Sequence, residues 1–130
     1  MCTPLIDKYG ASPAFIKWTA VRGDTATLEV SFLDDDEVTE WDTTGWTVLA
    51  TSYDPVSDTL DELTAVISDN VVTITAPASL TTYWGEKYQS VVAELKFDLQ
   101  VTIPEDREDT VWTPVIGTIC VIGNVTPGGL

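Results

Sequence analysis

The chain contains no histidine. That absence removes the commonest general base and the commonest transition-metal ligand together. Serine and threonine are plentiful, but without an imidazole no serine–histidine triad can be assembled, and Lys87 and Lys96 sit in polar company rather than in the apolar surroundings that activate a lysine nucleophile. Basic residues are scarce as well: 6 Lys and Arg stand against 21 Asp and Glu, a formal net charge of −15. Such a surface repels phosphate backbones and anionic lipid, so neither nucleic acid nor membrane is an expected partner. The two cysteines, Cys2 and Cys120, are too few for a disulfide framework and are expected as free thiols, Cys120 buried within an apolar strand pattern. No apolar run approaches the ~20 residues that span a bilayer, and MCTPLIDKYG has no apolar stretch behind a basic start, so no signal segment is expected. Phosphate-loop and dinucleotide fingerprints are absent too. These absences leave neither an enzyme nor a bound cofactor as the expectation.

What is present is alternation. In Val91 to Ile103 the apolar residues Leu95, Phe97, Leu99, Val101 and Ile103 alternate with Glu94, Lys96, Asp98, Gln100 and Thr102, the signature of a strand with one face on a core and one in water. Thr25 to Leu33 repeats the pattern, with Ala26, Leu28, Val30 and Phe32 inward. Further strands are predicted at Phe15 to Val21, Trp46 to Tyr53, Leu63 to Ile67, Val71 to Ala76 and Val111 to Val121, the last apolar on both faces. Ser68-Asp69-Asn70 reads as a hairpin turn, and Asp54-Pro55 ends a strand because proline cannot donate to a ladder. The helical signal is one turn, with Ser79 as cap, Leu80, Tyr83 and Trp84 on one face and Gly85 as its end. About seven short strands with almost no helix predict an all-β fold, a two-sheet antiparallel immunoglobulin-like β-sandwich, with barrel closure as the alternative. The expected division is an extended arm at 1–13, a sandwich domain at 14–126 and a tail at 127–130. Leu28, Val30, Phe32, Val48, Ile74, Leu95, Phe97, Leu99, Val101 and Cys120 are the predicted core.

Several stretches are candidates for chemistry. Asp34-Asp35-Asp36-Glu37, with Glu40 and Asp42 near by, is the densest carboxylate cluster, but Val38 falls where a calcium loop needs a ligand, so a solvated acidic loop and no metal is the expectation. Glu94 with Asp98, or Glu105 with Asp109, could pair as glycosidase carboxylates only across a cleft that a domain this small has little room for. Arg22-Gly23-Asp24 reads as a corner into a strand with its charges in solvent. Of the five tryptophans, Trp18 and Trp46 are expected to pack inside, whereas Trp41 in an acidic loop and Trp84 on the helical turn are candidate partner anchors.

With the strands placed, RGDTATLEVSF at 22–32, DTTGWTVLATSY at 42–53, KFDLQVTI at 96–103 and GTICVIGNVT at 117–126 carry a likeness in pattern. The chain resembles the N-terminal β-sandwich module of phage baseplate upper proteins and related tail-fibre or neck-fibre proteins. In that family an R-G-D-T-like opening enters a strand, a D-L-T-G-W/Y-like turn starts the next, and a Y-D-L-Q/E-like strand precedes a final G-x-I-x-V strand ending in V-T. Thr43-Thr44-Gly45-Trp46, Phe97-Asp98-Leu99-Gln100 and Asn124-Val125-Thr126 stand at those places, with Phe97 replacing the usual tyrosine and no fibre extension after Thr126. The resemblance implies a virion structural subunit without catalytic residues, an adaptor or attachment component of tail, baseplate, neck or fibre. It also implies other virion structural proteins as partners, and copies repeated as a homo-oligomer or by the symmetry of the particle. A capsid decoration protein and a secreted immunoglobulin-like adhesion module are the alternatives.

Two surface expectations follow. In a meander from Thr25 onward, alternate connections lie at one end, which would gather residues 34–42, Asp69 and residues 105–109 into a pole of 11 acids and one base, a formal −10. Such a pole stays solvated or meets a basic or cation-bearing partner. The arm instead offers Leu5 and Ile6, with Phe15 just beyond it, as apolar contacts for a neighbouring subunit.

Overall fold

The computed structural model describes residues 13–33, 41–85, 92–105 and 107–123. Seven strands and one helical turn follow in chain order: β1 Ala14–Val21, β2 Ala26–Ser31, β3 Thr47–Asp54, β4 Thr59–Ser68, β5 Val71–Ala76, α1 Ala78–Thr81, β6 Val92–Ile103 and β7 Thr110–Ile122. They form one sheet in the order β1-β7-β6-β3-β4-β5-β2. All-β architecture is therefore as expected, but the pairing differs from two separate antiparallel sheets. β1 runs parallel to β7, and β4 belongs to both halves, pairing with β3 through Thr59–Leu63 and with β5 through Thr64–Ser68. The sheet thus bends at β4, and its edges β1 and β2 meet at a corner that leaves it nearly closed into a barrel.

The interior is built on β6. Its residues alternate without a break, Ala93, Leu95, Phe97, Leu99, Val101 and Ile103 buried and the intervening residues facing out. Opposite them β7 contributes Val115, Gly117, Ile119 and Val121 up to a bulge between the pairs Leu99–Val115 and Val101–Trp112, where the single residue Gln100 of β6 faces Thr113 and Pro114 of β7. Pro114 sits within that irregularity, a place where a missing N–H breaks no ladder bond. Cys120 consequently faces outward and is half-buried, contrary to its expected place in the core. A strand apolar on both faces gives alternation no way to choose a side. Leu28, Val30 and Val48 are likewise only half-buried, packed against the core from its margin, while Trp18, Val72, Ile74 and Trp84 complete its centre.

A Cβ at Gly117 would collide with the carbonyl oxygen of Ile16 on β1 and stand 2.9 Å from Cε1 of Phe97, so this position must be glycine for β1 to run parallel at its side. The corner after β1 is equally constrained. Gly23 has φ +91°, the Gly23 amide donates to Thr81 Oγ1 at 3.2 Å, and that hydroxyl donates to the Asp24 carbonyl at 2.7 Å. Arg22 is half-buried rather than solvated as expected, because its Nε donates to the Trp84 carbonyl at 2.7 Å and its terminal nitrogen to the Gly85 carbonyl at 3.3 Å. These bonds satisfy carbonyls just past α1 that have no helical partner. Pro77, not Ser79, stands at the N-cap of α1, and it makes no side-chain capping bond. Gly85, at φ +72°, ends the turn as expected.

Candidate functional site

Two surfaces stand out. At one end of the sheet, the connections before β3, between β4 and β5, and between β6 and β7 converge. The Phe32 amide donates to the Asn70 carbonyl at 2.8 Å and Asn70 Nδ2 donates back to the Phe32 carbonyl at 3.0 Å, joining the end of β2 to the β4–β5 turn. The Thr43 hydroxyl donates to the Asp69 carbonyl. A Cβ on Gly45, whose φ is +83°, would lie 3.0 Å from Cγ of Pro104 at the exit of β6. The charge-gathering end expected from the meander is thus present for the described parts of these connections, Asp42, Asp69, Glu105, Glu108 and Asp109 with Arg107; residues 34–40, including the Asp34–Glu37 cluster, lie outside the described residues.

Beneath this acidic end lies a floor of four aromatics. Phe32 touches Trp46 edge-on at 5.4 Å, Trp41 at 5.9 Å and Trp112 at 6.0 Å, and Trp41 stacks on Trp112 at 5.7 Å and 20°. Trp41 is therefore half-buried as part of the floor instead of standing free as an anchor. A cavity of about 380 Å³ opens beside it, walled by Asp42, Thr44, Gly45, Asp69 and Asn70. The Asp42 carboxylate accepts from the Thr44 hydroxyl at 2.6 Å and from its amide at 3.1 Å. The hydroxyl bond first, and the amide bond after it, hold its pKa below the ordinary aspartate value.

The second surface is the outward face of β1, β7, β6 and β3. Phe15 is 80% exposed there and Leu60, on the adjoining part of β4, is 70% exposed. With Tyr53, Ile116, Asp98 and Thr51 they border a depression of about 380 Å³. Asp98 lies in it, and partial burial raises its carboxyl pKa above the ordinary aspartate value. A group whose folded pKa is raised opposes folding when ionised, so its penalty is absent below the unfolded pKa and grows as pH rises through the folded one. Asp98→Asn is therefore expected to raise the melting temperature slightly at pH 7, the gain disappearing in acid. Thermal melts of both proteins between pH 3 and pH 7 check this, and a gain that persists at pH 3 would refute it.

Of the sequence-predicted contact residues, Leu5 and Ile6 lie outside the described residues, and Phe15 is on the outward face. Trp84 is a correction: it is 2% exposed and packs edge-on against Trp18 at 6.4 Å, so no partner can reach it. Phe15 and Trp84 thus do not share a surface. Among the described residues no group of three or more Cys, Asp or Glu side chains is placed to hold a metal ion, and no helix is long and apolar enough to cross a membrane. Compared with known proteins, the chain matches no family model, and no curated protein matches it in sequence.

Proposed function

We propose that the chain is a non-enzymatic structural subunit of a phage virion, an adaptor or attachment component of the tail, baseplate, neck or fibre. The observation that carries this reading is where the shared motif residues fall. Arg22-Gly23-Asp24 forms the corner that bonds β1 and β2 to the end of α1, Gly45 turns the chain into β3, and Phe97 to Gln100 lie at the centre of β6. These are joints of a scaffold rather than groups aimed at a substrate, and a family held together by such residues is defined by its shape. On this reading the bend at β4 folds the sheet into two facing halves, the immunoglobulin-like sandwich form that the resemblance implies. Partners are other virion proteins, and the acidic end suits a basic or cation-bearing neighbour.

The test is physical association with particles. Mass spectrometry of gradient-purified virions should find the chain at a fixed copy ratio to the portal or tail-tube protein, and antibody labelling should place it at the tail or neck. Labelling over the head would make it a capsid decoration protein and overturn the tail assignment. Absence from particles would overturn the virion reading altogether.

A further inference from the structure

The outward row of β7 is Ile116, Thr118, Cys120 and Ile122, and it carries no charge. This is unusual in a chain of net charge −15. Two depressions, of about 380 Å³ and 510 Å³, run along this row and share Phe15, Gly117 and Thr118 in their walls. The charges that border them are balanced, Lys17 and Lys96 against Glu94 and Asp98. At the far end Val92, Ile122 and Val21, cross-strand neighbours, are 44%, 39% and 37% exposed. The result is a neutral, largely apolar groove along β7, flanked by the exposed ring of Phe15.

We infer that this groove receives residues 1–12 of a neighbouring copy. Three observations select that occupant. The first is charge: two bodies of −15 repel, whereas the segment 1–12 has Asp7 and Lys8 as its charged side chains and is neutral. It carries Leu5, Ile6 and Tyr9 for the depressions. The second is reach. Twelve residues extend to about 40 Å, and the groove from Ile116 to Ile122 is about 20 Å long. The third is direction. β1 begins at Ala14 opposite Val115 and runs parallel to β7, so a copy's own residues 1–12 would have to reverse direction at once to lie along its groove from Ile116 to Ile122, whereas those of a neighbour need no such reversal. The inference goes beyond the virion reading and stands whether or not the chain is a particle component.

The experiment is sedimentation velocity over a concentration series with three proteins: the full chain, a deletion of residues 2–12, and a double variant Phe15→Asp, Ile122→Asp. Both substituted side chains are exposed, so the fold should persist, and circular dichroism verifies it. The full chain should self-associate, and each variant alone should do so about tenfold or more weakly. A mixture of the two variants should form a heterodimer, since one supplies the groove and the other the arm. Added salt should strengthen association of the full chain, because it screens the repulsion between bodies and leaves apolar contact intact. As a second reading, maleimide labelling of Cys120 in a Cys2→Ser chain should slow as concentration rises. A full chain that stays monomeric, a deletion that associates like the full chain, or a mixture that gives no heterodimer would each overturn the inference. Protection of Cys120 at every concentration in a monomer would place the arm on its own copy and overturn the neighbour as donor.

Discussion

Phe97→Ala is expected to destabilise the protein by about 3–5 kcal/mol, the range for deleting a buried aromatic ring. Phe97 is 4% exposed at the middle of β6, and its ring meets Trp18 edge-on at 5.5 Å and 70°. The residues directly across the two ladders are Gly117, which has no side chain, and Ser52, whose side chain is too small to fill the space the ring would leave. Trp18 is itself held against Trp84, so collapse from that side would disturb a second buried contact. The cavity therefore stays open, and the cavity cost adds to the lost transfer energy. Urea unfolding should show a lower midpoint at an unchanged slope. A loss below about 1 kcal/mol would mean that the ring does not fill this space.

The same pair shows what the sequence could disclose and what it could not. Phe97 was legible because β6 has a charged or polar residue at almost every outward position, so alternation identifies its buried face without reference to any partner. Gly117 was not, since β7 is apolar on both sides and its place opposite Phe97 depends on a register set by a bulge at Pro114. The parallel pairing of β1 with β7 joins residues about a hundred positions apart, from Ala14 with Val115 to Val21 with Ile122, and no local pattern encodes such a choice. The first half of β4 was missed because Thr59 to Glu62 is polar and acidic with Leu60 turned outward, which reads as loop until β3 is beside it.

The surfaces divide in the same way. That the acidic connections share an end was readable, because hairpins reverse the chain and alternate turns must return to one side. Trp84 was misjudged for lack of a bond no sequence shows: Arg22, 62 residues away, clasps its carbonyl and holds the turn down on Trp18. The outward face of β7 carried a sign that was read differently. A strand apolar on both sides suggested a place that is central or covered twice; β7 is central, between β1 and β6, and its outward face is a groove.

Phe32→Ala is expected to cost a similar amount, about 3–5 kcal/mol, and to change the acidic end as well as the core. Phe32 is 6% exposed and its ring is the piece common to Trp41, Trp46 and Trp112. Its backbone is fixed by Asn70 on one side and by the Trp41 amide, which donates to its carbonyl at 3.2 Å, on the other. Removing the ring leaves those bonds in place but takes away the surface on which three indoles are oriented, each such contact contributing about 0.5–1.5 kcal/mol beyond burial. The near-ultraviolet circular dichroism that arises from fixed indole pairs should fall sharply while the far-ultraviolet spectrum persists. The floor also holds like-charged connections side by side, so the intact protein should gain stability with added salt as their repulsion is screened. With the ring gone the connections can separate and relieve that repulsion by themselves, so the gain from salt should be smaller in the variant. Unfolding both proteins at low and high ionic strength measures this coupling directly. Equal salt dependence, together with an unchanged near-ultraviolet spectrum, would show that the aromatic floor does not hold the acidic end together.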